Sequence, residues 1–276
     1  MDEVEVQTGM CECEGGHAIA YEVFGDGDQV VVYLHGLLMD SGMNRPLARA
    51  LAARGQRVVL IDVLGHGRSD KPLHASAYRM DAYARMVLAV LDHLGIERAI
   101  VGGISLGANI SLELAVHDPE RVQALLLEMP VLEWAVPAAA MIFTPLLLTM
   151  HYAAGPAGFV ADLVGRLPDT GNDALDSALR AGANRPEVVK AVLHGILTGP
   201  VAPTVEQRAA IEVPTLVLAH TRDVIHPFSD AENLAELLPD ARLLPTRSLL
   251  ELRVRPERLM AEITAFVDDA WVGATT

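Results

Sequence analysis

An α/β architecture, a mostly parallel sheet flanked by helices with a helical segment inserted late in the sheet, is predicted by three observations. Short, continuously apolar runs recur at Val30–Leu34, Arg57–Ile61 and Ala99–Val101, as expected for strands covered on both faces. Helical periodicity lies between them, clearest in Met80, Tyr83, Met86, Val87, Val90, Leu91 and Leu94, which recur at steps of three and four. Strand signals then vanish over residues 131–206 and return at Pro214–Ala219. Alternating strands and helices imply right-handed crossovers and a parallel sheet. The expected division is a core of residues 1–130 and 207–276, with residues 131–206 as a helical cap.

The remaining elements follow in order. Val4, Val6 and Ala18–Phe24 read as an opening hairpin that turns at Gly15-Gly16 and closes at Gly25–Asp28. Ala124–Leu127 and Ala241–Leu244 supply further strands. Ser229 and Glu232 have the spacing of a capping box and predict a helix start after the 214–219 strand. Leu250–Arg255 alternates like an added strand. From Pro256 to about Ala270, Leu259, Ile263, Phe266 and Val267 fall on one helical face.

Composition bounds the function. A chain of 276 residues buries roughly three quarters of its unfolded surface and needs neither metal nor disulfide for stability. Aromatics are only 4%, so the core is built from Leu, Val, Ile and Ala. The formal charge of −15 disfavours nucleic acid, whose phosphates it repels. Cys11 and Cys13 are too close for an ordinary disulfide and make half a metal site, so they are expected as reduced thiols at a strand end or turn. Met1–Glu5 is acidic and lacks the apolar stretch of a secretory signal, which makes the cytoplasm the expected compartment. Trp134–Ala161 carries no charge except the titratable His151, but Pro137, Pro145, Gly155, Pro156 and Gly158 interrupt it. No membrane span is expected there, and an apolar roof over a pocket is.

The chemistry is written at Gly103-Ile104-Ser105-Leu106-Gly107. A G-x-S-x-G pentapeptide between a strand and a helix presents a serine at the apex of a sharp turn. The glycines two before and two after it leave room where neighbouring chains crowd in. Here Ala99–Gly102 precedes it and the helix-like Ala108–Leu114 follows. Two more motifs stand in order before it: His35-Gly36 directly after the strand Val30–Leu34, and Asp62-Val63-Leu64-Gly65-His66-Gly67-Arg68-Ser69-Asp70 after the next strand.

With these three motifs the chain resembles the α/β-hydrolase superfamily over about residues 15–270. The resemblance implies the α/β-hydrolase fold with an inserted cap, and Ser105 as nucleophile. It implies an oxyanion hole made by the backbone N–H groups of Leu37 and Leu106, donors that stabilise charge as it develops on a substrate carbonyl. His35, Gly36, Gly103 and Gly107 are then motif residues of structural purpose, and His66 and Arg68 order their loop. Asp223, beyond the penultimate strand, matches the position of the triad acid. A few members place that acid one strand after the nucleophile, where Glu128 stands. No metal and no organic cofactor are implied.

The general base departs from the pattern. The family places Gly-His beyond the last strand, and aligning on Pro256-Glu257 sets Ser248 and Leu249 there; no histidine follows His226. Leucine takes no proton, and a serine without a base is a poor nucleophile at neutral pH. His226, three residues from Asp223, is either a loop-bracing side chain before Pro227 or a displaced base. His151 and His194, in the cap, are further possibilities. Three functions therefore stay open. The first is a serine hydrolase of a small carboxylic ester, lactone or thioester with an apolar portion. Serine rather than aspartate at the nucleophile position separates it from haloalkane dehalogenases and soluble epoxide hydrolases. The second is a binding or receptor protein with an incomplete triad, and the third a non-hydrolytic, lyase-type enzyme.

Overall fold

The computed structural model describes residues 4–248 and 251–272. Strands β1 (Val6–Cys13) and β2 (His17–Phe24) form an antiparallel hairpin. Gly15 and Gly16 turn it with φ of 86° and 72°, a region that favours glycine. Cys11 and Cys13 point to one side of β1 as buried free thiols, and the Cys13 thiol donates to Cys11 Sγ at 3.9 Å. Burial, reinforced by the neighbouring thiol, pushes Cys13 up to about 12.

The hairpin pairs antiparallel with β4 (Arg57–Asp62), and from there the sheet is parallel through β3 (Val30–Leu34), β5 (Ala99–Ile104), β6 (Val122–Glu128), β7 (Thr215–His220) and β8 (Ala241–Thr246). The strand order is β1-β2-β4-β3-β5-β6-β7-β8, so the winding reverses at β3. At that reversal the carboxyl ends of β3 and β5 open a crevice, the usual place for a ligand in such sheets.

Period-2 alternation divides the core in two. Val32, Leu34, Val101 and Leu127 pack with Val87 and Leu91 of α2 (Met80–His93) and Ile110 and Leu114 of α3 (Leu106–His117). Val31, Tyr33, Ile100 and Leu126 face the other way, against Leu47 and Leu51 of α1 (Arg45–Ala52) and Leu259, Ile263 and Val267 of a C-terminal helix, Glu257–Val272. Both faces are dry, which is why β3, β5 and β6 are apolar almost throughout.

Between β6 and β7 lie α4 (Ala135–Tyr152), α5 (Ala154–Val164), α6 (Asp173–Gly182), α7 (Pro186–Thr198) and α8 (Val205–Ala209). Polar bonds tie them to the sheet domain. Arg180 donates to Asp40 at 2.5 and 3.0 Å, and Asp173 accepts from Arg45 and Arg49. Asp230, in α9 (Phe228–Leu237), accepts from the N–H groups of Leu132, Trp134 and Ala135 at 2.8–3.1 Å and so caps the start of α4.

Three expectations are corrected. Leu250 lies outside the described residues, and the rest of the Leu250–Arg255 run contains a short helix, α10 (Glu251–Val254), not a strand. Its buried Leu252 reaches the core while Glu251 bonds Arg258 of α11 (Glu257–Val272). Ser229 does not cap α9, because the helix starts at Phe228 with Pro227 at the cap, two residues before Ser229, and no side-chain bond. Pro145 does not interrupt α4, which runs continuously through it for 18 residues. Pro145 lies on the exposed side, and there the carbonyl it leaves unbonded is open to water.

Ile263 is fully buried between α11 and the sheet. Ile263→Ala is expected to lower unfolding stability by about 2–5 kcal/mol, read as an earlier urea midpoint. An unchanged midpoint contradicts the packing described.

Candidate active site

Ser105 joins β5 to α3 with φ 54° and ψ −110°, a backbone region that non-glycine residues rarely occupy. Its N–H donates to the Glu128 carbonyl at 2.8 Å, and its carbonyl accepts from Asn109 N–H at 3.1 Å. The flanking glycines explain themselves sterically. A Cβ on Gly103 would lie 2.6 Å from the Leu34 carbonyl oxygen and 2.8 Å from the Gly107 carbonyl carbon. A Cβ on Gly107 would also lie 2.6 Å from that Leu34 oxygen.

The hydroxyl meets an imidazole. His226 Nε2 lies 3.0 Å from Ser105 Oγ, and His226 Nδ1 lies 2.7 Å from Asp223 Oδ2. An ionised carboxylate only accepts, so Nδ1 carries the proton and Nε2 is left to accept from the serine hydroxyl. The other carboxylate oxygen, Oδ1, accepts from the Ile225 and His226 N–H groups at 2.8 and 3.2 Å. Asp223 thus fixes the ring and the loop that bears it. Burial opposes its ionisation, but the His226 ring and these amides outweigh burial and hold the carboxyl below the usual aspartate value.

The other histidines are elsewhere. His151 is exposed and sits edge-on to Tyr152. His194 is exposed on α7. Among the described residues, His226 is the imidazole bonded to Ser105. Leu249 lies outside the described residues. The Glu128 carboxylate, weighed as an alternative acid, is buried against Tyr33, whose hydroxyl donates at 2.9 Å, and against Arg253. It has no bond to His226 in the structure.

The motif residues order loops. His35 is buried; its Nδ1 donates to the Gly36 carbonyl at 2.9 Å and its Nε2 accepts from Val63 N–H at 3.1 Å. His66 packs against it with ring centroids 4.9 Å apart, and burial lowers its pKa to about 3, so it stays neutral. The Asp62 carboxylate accepts from Ser41 and Arg68 N–H, while the Arg68 side chain reaches Glu22. These contacts explain the Asp-x-x-Gly-x-Gly-x-Ser run as a folded loop.

Leu37 and Leu106 line the same cavity as Ser105, with Met80, Phe143 and Ile225 among the other walls. Its volume is about 50 Å³, and Ser105 and Asn109 are its polar residues. Asn109 does not face a ligand freely. Its amide donates to the Val131 and Val201 carbonyls and accepts from Val131 N–H, pinning both ends of the inserted helices to α3. Asn109 and Asp230 are two residues the sequence reading missed. The partners of each are 22 to 98 positions away, so no local pattern marks it.

Residues 29–245 match the family model described as alpha/beta hydrolase fold. The provisionally named carbamate hydrolase RutD of Azorhizobium caulinodans is 30% identical over 247 residues, covering 83% of this chain and 86% of that protein. The AB hydrolase superfamily protein YisY of Bacillus subtilis is 28% identical, covering 78% of this chain and 82% of its own length. Among solved structures, the enol-lactonase of Burkholderia xenovorans LB400 superposes with a TM-score of 0.76 at 21% identity, over 94% of this chain and 100% of that one. It shares the fold.

The Asp223 carboxyl is held low, so its contribution to stability is complete above the unfolded value near 3.9 and is lost as pH falls through the folded value. Asp223→Asn should therefore flatten the acid limb of a melting-temperature profile. An acid limb identical to wild type contradicts the Asp223–His226 contact.

Proposed function

Because the chain belongs to the α/β-hydrolase fold family, we propose that it is a serine hydrolase of a carboxylic ester, lactone or thioester with a small apolar acyl portion. The observation that carries this reading is the unbroken line from Asp223 through His226 to Ser105, with contacts of 2.7 and 3.0 Å. The case for a non-catalytic binding protein rested on a missing base, and His226 meets that objection.

In the proposed reaction His226 Nε2 takes the hydroxyl proton as Ser105 Oγ attacks the carbonyl carbon. Asp223 stabilises the imidazolium and keeps the ring in the required tautomer. The N–H groups of Leu37 and Leu106 receive the developing oxyanion; Leu106 opens α3, where helix amides have no carbonyl partner of their own. The imidazolium then protonates the leaving group. Water, deprotonated by the same nitrogen, releases the acyl group and restores the serine. Residues 131–206 act as the cap over this cavity, with Ala139 and Phe143 of α4 above the serine. The walls carry no cationic side chain, which fits an uncharged acyl group better than a carboxylate-bearing one.

A fluorophosphonate probe tests the nucleophile and base together. Wild type is expected to label, Ser105→Ala to label not at all, and His226→Ala to label at least about a thousandfold more slowly. Undiminished labelling of His226→Ala assigns the base elsewhere; an unlabelled wild type returns the reading to a binding protein. The small cavity makes a second prediction. Phe143→Ala removes a wall beside Ser105 and is expected to move preference from acetyl towards butyryl or longer esters, by roughly tenfold in relative kcat/KM. An unchanged chain-length profile places the acyl group on another side of the serine.

A further inference from the structure

α4 carries no Asp, Glu, Lys or Arg and has apolar residues on every side, yet Ala135 is its one buried residue. Helices of that kind are normally enclosed on all sides. The inward side of α4 packs on α7 and sets Ala139 and Phe143 over the Ser105 cavity. The outward side presents Met141, Pro145, Leu148 and Tyr152 at steps of three and four, continuing from Trp134 at the helix cap. Beside it, Phe159 of α5 is exposed as well, within the same charge-free stretch. Met141, Tyr152 and Phe159 are 78%, 80% and 72% exposed. Large apolar side chains exposed side by side in this way mark an interaction surface rather than ordinary scattered surface residues.

We propose that this face docks on an uncharged or zwitterionic lipid surface, with α4 lying in the plane of the interface. Charge selects the occupant. Residues 134–161 contain no Asp, Glu, Lys or Arg, in a chain whose net charge is −15. The rest of the molecule is repelled by an anionic membrane, and this segment offers neither attraction nor repulsion. A protein partner would ordinarily meet a polar rim with hydrogen-bonding groups around an apolar centre. Here the ends of the α4 stripe are Trp134 and Tyr152, aromatics with one polar ring atom that suit the boundary between hydrocarbon and headgroup.

The helix is long enough to invite comparison with a membrane span, at 18 residues and mean hydropathy 1.4. It is held from crossing. Asp230 binds three amides at its start, and its inward side is committed to α7 and the cavity. Docking is therefore shallow and reversible. The cavity and the lipid-facing stripe lie on opposite sides of one helix, so an apolar molecule dissolved in lipid has a short path to Ser105. The docking surface stands independently of the hydrolase reading, since binding requires no turnover.

Flotation of the full chain with phosphatidylcholine vesicles tests it. Wild type and Ser105→Ala are both expected to float with the vesicles, with little change between low and high salt because no ion pairing is involved. The triple variant Met141→Asp, Leu148→Asp, Phe159→Asp is expected to lose at least about tenfold in partitioning while keeping its melting temperature. If the triple variant fails to fold, Met141→Asp and Leu148→Asp are read singly in the same way. Wild type remaining in the aqueous fraction overturns the proposal, as does equal flotation of the variants. Dimerisation of wild type that the variants abolish, without vesicle binding, assigns the face to a second copy instead. Vesicle binding by a chain that no fluorophosphonate labels supports the surface and rejects only the hydrolase.

Discussion

Three backbone segments converge on the turn at Ser105, and their crowding is the constraint on which the site depends. The Leu34 carbonyl at the end of β3, the Gly103 backbone at the end of β5 and Gly107 in the first turn of α3 approach closely enough that no Cβ fits at either glycine. Ser105 has no relaxed backbone conformation available at that apex and adopts a positive φ. The bond from Ser105 N–H to the Glu128 carbonyl holds the turn from the neighbouring strand. Because β3 and β5 are adjacent where the winding reverses, the same convergence brings Leu37 to the cavity that contains Ser105 and Leu106.

The acid and the imidazole share one short loop. A base has to reach the serine with the right nitrogen; where in the chain it comes from is immaterial. Three positions from His226, Asp223 can use one oxygen for the loop amides and the other for the His226 ring. One carboxylate thus shapes the loop and orients the imidazole, with Pro227 limiting the backbone just beyond. The segment after β8 is then released from catalytic duty in the proposed mechanism and packs as structure. Glu251 binds Arg258, and Arg253 enters the core to meet Glu128 and Asn44. Burial opposes charge on Arg253, but Glu128 more than restores it. Glu128 is consumed by that pairing beneath the sheet's carboxyl edge.

Much of this was legible in the residues because the signals were local. The central strands announce themselves as short apolar runs, and the nucleophile turn needs only five consecutive residues. The opening hairpin, α2 and α11 follow from periodicity alone. What stayed ambiguous depends on distance. Whether His226 braces a loop or faces Ser105 turns on a contact across 121 positions, which no spacing rule contains. The alternation at Leu250–Arg255 resembles a strand. The helix wins because Glu251 and Arg258, seven positions apart, close an ion pair and Leu252 finds the core. Pro145 reads as a breaker because a buried helix cannot lose a hydrogen bond cheaply; on an exposed side the loss falls to water.

The inserted helices divide their attachments by chemistry. Directional polar bonds hold the margins: Asp230 and Asn109 at the chain's entry near 131–135, Asn109 again at Val201, and Asp40 with Arg180 at α6. Polar bonds of this kind fix orientation, since a buried carboxylate deprived of its amides would be left unsolvated. The middle of α4 is held differently, by Ala139 and Phe143 against the cavity and by packing on α7. Apolar contact is non-directional, so this stretch is placed by packing and not by a bonded anchor. Pro145 removes a hydrogen bond near that midpoint and softens the helix there. Polar anchors thus fix the margins of the inserted helices, while the loop carrying Asp223 and His226 is held by its own carboxylate.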